Sequence, residues 1–263
     1  MLPELILKEE RTDDYPVLLL LGLLASVGGF FAARTLFPNQ SNVLSVVFAS
    51  LPLIYPLTAK FLEDEKEEPS YIEEISLYGA LFTGQVFGFT ALSLVYPESL
   101  SLQSQVAGLS GHAVAHGLFL EILFNNLLVF TGILAVSAIF GSAGAFILVW
   151  NASVMGKFFA ELVMELQGLN KAAPLFYFPH AALEMTGFIL AGITGSLISA
   201  AAYRKHFKKQ IWTRYILLAA LGLSAVLAGA GLETGFITAS LTGLTGILSI
   251  GYVLLDQERK ARE

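Results

Sequence analysis

The sequence predicts an all-α, polytopic transmembrane helical bundle of about eight spans with both termini cytoplasmic. Three observations lead there. The 263-residue chain is 55% hydrophobic and 14% charged, with a mean hydropathy of +0.69, too apolar for a water-soluble domain of this length. Its apolar residues fall into runs long enough to cross a bilayer, with prolines and glycines at their ends or in small-residue stripes inside them. Its lysines and arginines are confined almost entirely to one set of alternate loops.

At about 20 apolar residues per crossing, spans are expected over 16–37, 42–61, 72–96, 117–140, 142–165, 178–203, 211–230 and 235–255. The first follows the acidic stretch from Glu9 to Asp14 and lacks a small-residue cleavage site, so it reads as a retained span rather than a signal peptide. The acidic run from Glu63 to Glu74 is a solvated loop between the second and third spans. Gly141 and Gly144 make a very short inner turn after the fourth, and Pro179 sets the start of the sixth. The basic cluster Arg204 to Lys209 closes the sixth span. Gly229 to Gly235 is a weak break before the last run, so seven spans with a final interfacial segment is the alternative count. Three segments follow in chain order: 1–116 with three spans and their loops, a membrane core over 117–240, and a C-terminal span with a basic tail over 241–263.

An even number of spans puts both termini on one side. Lys8, Arg11, Lys60, Lys66, Arg204, Lys205, Lys208, Lys209, Arg214, Arg259, Lys260 and Arg262 then share one face, against Arg34 and Lys171 on the other, and the basic-rich face is cytoplasmic. The expected location is the cell membrane, multi-pass. The formal charge of −6 comes from the acidic loop clusters, which leaves no basic surface for nucleic acid. The absence of cysteine excludes disulfides, thiolate metal sites and cysteine nucleophiles. No phosphate-cradling loop, nucleotide fingerprint or Ser/His/Asp set is present.

The chemistry lies inside spans four to six. A charged side chain costs about 2.5–3.5 kcal/mol at a span centre, so Glu121, Asn125, Asn126, Asn151, Lys157, Glu161, His180, Glu184 and Glu233 are expected to face one another as a buried polar core. At about 1.5 Å per residue, Glu121 and Glu184 stand at similar depths below the outer face, while Asn125 and Asn151 approach the midplane from opposite sides. Two amides satisfy each other when they meet. Lys157 and Glu161, one turn apart, pair locally. Glu121 and Asn125 share a face, which is expected to meet His180 and Glu184.

His112 and His116 form an HxxxH pair, and His180 stands four residues before Glu184. That spacing puts two side chains on one helix face, and imidazole with carboxylate suits a divalent metal such as zinc. The metal hypothesis therefore names His112, His116, His180, Glu184 and Glu121, with a glutamate as general base of an intramembrane hydrolase. Against it, at about 100° per residue, Glu121 lies about 180° from His112 and about 140° from His116 on one straight helix, and the HExxH arrangement is missing because Ala113 follows His112. The competing reading makes His180 and Glu184 a hydrogen-bonded pair locking the sixth span to the fourth, with His112 and His116 solvated. Gly84 and Gly88 form a GxxxG in the third span, read as intrachain packing with a homodimer face as the alternative.

The ordered set FNNLLVF, Gly132, WNASVMG, FPHAALEMTGF and GLETGFIT, from Phe124 to Thr238, resembles the stage II sporulation protein M family in its archaeal form. The resemblance spans nearly half the chain. Asn125, Asn126, Asn151, Gly156, Pro179, His180, Glu184, Glu233 and Thr238 carry it; Ala152 and Ala181 stand where the family has glycine, and Ala239 where it has proline. The segments before Phe124 and after Ser240 read as additions. The resemblance implies an integral membrane component that in spore-forming bacteria works with peptidoglycan-degrading partners during engulfment, as their scaffold; it does not imply catalysis. The leading expectation is thus a membrane scaffold or assembly factor, partnered by lipid and by other membrane or cell-envelope proteins. The alternative is a metal-dependent hydrolase or an ion or solute pathway.

Overall fold

The computed structural model describes residues 14–67, 71–103, 119–166, 173–205 and 209–262. Eight long helices account for nearly all of them: α1 (Tyr15–Leu36), α2 (Ser41–Glu67), α3 (Tyr71–Val95), α4 (Phe119–Phe140), α5 (Ala145–Leu166), α6 (Ala173–Arg204), α7 (Lys209–Thr234) and α8 (Ile237–Arg262). There is no strand among the described residues. Hydrocarbon supplies no partner for backbone groups, so each spanning segment must bond within itself.

Six described stretches are long and apolar enough to cross a membrane: 15–36, 72–95, 119–164, 179–204, 212–234 and 237–260. The third of these is 46 residues and contains both α4 and α5, parted by a 3-10 turn at Gly141–Gly144. The turn opens with Gly141 at φ +68°, a backbone that side-chain-bearing residues avoid. Seven helices of crossing length follow. α2 carries its charges in its C-terminal part, at Lys60 and over Glu63 to Glu67, while residues 41–59 hold none.

The helices form two compact units that do not follow chain order. Unit 1 contains α1, α2, α3 and α5. α1 packs along α3 and α3 along α5. A Cβ on Gly84 or Gly88 would run into Leu19 O or Ser26 Oγ of α1, so this GxxxG is used for close packing within the chain. The core here gathers Phe30, Val46, Ala49, Phe89, Leu92, Leu100 and Val149.

Unit 2 contains α4, the 141–144 turn, α6, α7 and α8. α6 packs on α4 and α7, and α7 on α8. At the end of α7, Gly235 takes φ +69°, and Phe236 N–H donates to Gly231 O at 2.8 Å while Gly235 N–H donates to Leu232 O at 3.3 Å. That double bond pattern ends a helix on a left-handed residue and turns the chain directly into α8. The Phe119 and Phe236 rings lie 4.8 Å apart, bringing the start of α4 to the same end as the α7–α8 turn.

Candidate functional site

The candidate site lies in unit 2, where α4, α6 and α7 meet. Asn126 Nδ2 on α4 donates to Glu184 Oε1 on α6 at 2.7 Å, and each residue is only 8% exposed. α7 closes the other side. A Cβ on Gly229 would stand 2.5 Å from Glu184 Cγ and 3.0 Å from His180 O, so only hydrogen leaves room for the carboxylate-bearing helix at this approach. One turn further along α7, half-buried Glu233 is close enough to Glu184 for their charges to repel. His180, one turn before Glu184 on α6, is partly buried. An amide donor, two carboxylates and an imidazole therefore sit within about one helical turn of each other in depth.

The geometry redistributes the residues expected to converge. Adjacent side chains on a helix diverge by about 100°, so Asn125 and Asn126 cannot both face inward. Asn126 takes the buried face with Phe130, Ile133 and Ser137; Asn125 is exposed, as is Glu121 four residues earlier. Glu121 and Asn125 do share a face, but it points away from α6. In unit 1, half-buried Asn151 donates to Ile147 O of its own helix at 2.8 Å, not to a second amide.

Lys157 is 4% exposed and is 3.5 Å from Glu161 Oε1 one turn along α5, the local pair its spacing suggests. Its shorter bond, 2.6 Å, goes to Pro97 O in the turn after α3. Nearby, Asn42 holds the same turn. Its Oδ1 accepts from Leu100 N–H at 2.9 Å, its Nδ2 donates to Ser101 Oγ at 2.9 Å, and its backbone carbonyl accepts from Gln103 Nε2 at 3.0 Å. Leu100 adopts φ +60° with a fully buried side chain. Arg34 lies over the Tyr96 ring at 4.8 Å. Sequence reasoning missed Asn42, Pro97 and Gly229: a backbone carbonyl carries no side-chain signature, and a lone asparagine at a helix start reads as an ordinary cap.

Among the described residues, no three His, Asp or Glu side chains gather in a way that would hold a metal ion. His112 and His116 lie outside the described residues. With Glu121 turned away from His180 and Glu184, the expected zinc set does not assemble among the described residues.

The chain matches the family model described as stage II sporulation protein M over residues 17–239. No curated protein and no solved structure matches it. The match begins in α1 and ends at the start of α8, so the helices before Phe124 are part of the family architecture and not additions to it.

Proposed function

Since this chain belongs to the stage II sporulation protein M family, we propose that it is a multi-pass cell-membrane scaffold or assembly factor that holds other membrane or cell-envelope proteins, without catalysing a reaction itself. The single observation behind this reading is the Asn126–Glu184 bond. A buried carboxylate with its amide donor on a neighbouring helix, and a glycine seated against it, is the arrangement of a helix lock: the polar groups spend their bonding capacity on each other. In unit 1, the buried ammonium of Lys157 spends its own on a backbone carbonyl and a neighbouring carboxylate.

The test is reconstitution and capture. Tagged chain extracted from its own membranes after mild cross-linking should carry one or more envelope proteins at fixed stoichiometry, and Glu184→Gln should reduce that yield only as far as it lowers the amount of folded chain. Chain that carries no partner, yet shows Glu184-dependent hydrolysis or ion flux in vesicles, would overturn the proposal. The nearness of Glu233 to Glu184 favours an ion pathway as the second reading, because paired carboxylates are how membrane proteins bind protons and small cations.

A further inference from the structure

We infer that the outward face of α4 is a contact surface for α4 of a second copy of this chain. Glu121, Asn125, Leu128, Gly132, Ala135 and Ile139 recur at alternating steps of four and three, so they form one seam running the length of the helix. It lies opposite the stripe of Asn126, Phe130, Ile133 and Ser137 that α4 buries within the chain. All of the seam except half-buried Gly132 is exposed, Leu128 at 57%.

Asn125 makes this face more than a lipid-covered surface. At about 1.5 Å per residue it stands roughly 9 Å along the helix from Phe119, where hydrocarbon offers an amide nothing to bond. Two polar side chains on other membrane helices bond to their own backbone: Thr245 on the exposed face of α8 donates to Leu241 O, and Asn151 donates to Ile147 O. Asn125 lacks such a bond, and takes part in no hydrogen bond among the described residues. An amide is its own complement, with donors and an acceptor on one group. A two-fold axis along the membrane normal brings the same residue of two copies to the same depth, which lets Asn125 pair with its counterpart. Gly132 and Ala135 below it are small enough for two helix backbones to approach. Glu121 is in the first turn, at the level where headgroup water hydrates a carboxylate.

The inference rests on α4 lying in a membrane and not on the scaffold reading, and its test uses the purified full chain alone in phosphatidylcholine–phosphatidylglycerol vesicles. Because the chain has no cysteine, a single introduced thiol reports contacts cleanly. Leu128→Cys should form a copy-to-copy disulfide on mild oxidation, whereas Ile216→Cys, on the exposed side of α7, should not. Asn125→Leu should weaken self-association in the same vesicles by about tenfold, the scale of an interhelical hydrogen bond in lipid, with its unfolding transition unchanged. Equal cross-linking at Leu128→Cys and Ile216→Cys, or unchanged association in Asn125→Leu, would overturn the inference. So would Leu128→Cys in native membranes joining a different protein with no copy-to-copy product. A monomer that still captures partners removes the dimer and leaves the scaffold standing; a dimer without partners does the reverse.

Discussion

Replacing Asn126 by alanine removes a 2.7 Å bond and leaves Glu184 Oε1, in a residue 8% exposed, without its amide donor. Stranding a buried polar partner costs about 1–3 kcal/mol, with charged groups at the upper end. In membranes the coupling between bonded side chains is smaller, averaging about 0.6 kcal/mol with a maximum near 1.7, because the unfolded chain also finds partners in the bilayer. The acceptor is a carboxylate and both groups are buried, so the upper half of that range applies, a coupling of about 1–1.7 kcal/mol. The measurement is a double-mutant cycle. Asn126→Ala, Glu184→Leu and the double variant are unfolded in mixed micelles and followed by far-ultraviolet circular dichroism. Glu184→Leu alone removes a carboxylate from an apolar interior and has either sign, but the cycle isolates the pair. Additivity within about 0.3 kcal/mol would mean the two groups do not interact, and the helix-lock reasoning would fail.

Three further outcomes follow from the same packing. Gly229→Ala places a methyl 2.5 Å from Glu184 Cγ and 3.0 Å from His180 O, and should destabilise by about 1–3 kcal/mol, whereas Gly79→Ala, with nothing within 4 Å, should stabilise its helix by about 0.5–1 kcal/mol; thermal unfolding of the two variants side by side checks the contrast. Asn42→Ala strips Leu100 N–H of its acceptor in a left-handed turn and should cost about 1–3 kcal/mol, against less than about 0.5 for exposed Asn39→Ala. Lys157→Ala should cost more than Glu161→Gln in the same assay, because the Lys157 side chain is buried and bonds Pro97 O, while the Glu161 side chain is 33% exposed and its ion pair contributes below about 1 kcal/mol.

The sequence carried the helices well and their neighbours poorly, for a physical reason. Membrane spans announce themselves by length and apolarity, and Gly141 marks a turn through backbone chemistry that needs no partner, whereas Pro179, expected to start its helix, lies inside α6, which begins at Ala173. Face assignment is different. α4 is apolar nearly all round, so nothing in its composition says which side meets protein, and Asn125 and Asn126 stand next to each other with opposite fates. The rule that Glu121 and Asn125 share a face was sound; the direction of that face depended on where α6 docks. Likewise the local pair Lys157–Glu161 was legible from its spacing, while Pro97 O, 60 residues away in the chain, was not. The units also cross chain order, α5 joining α1–α3 and α4 joining α6–α8, which hydropathy cannot reveal.

The most direct test of the inward lock is a pair of double-cysteine variants in a chain that has no cysteine of its own. Asn126→Cys with Glu184→Cys should lose free thiols on mild oxidation in membranes through an internal disulfide, and Asn125→Cys with Glu184→Cys should keep them. Internal oxidation of the 125/184 pair with reactive thiols remaining in the 126/184 pair would place the other face of α4 against α6 and contradict the account.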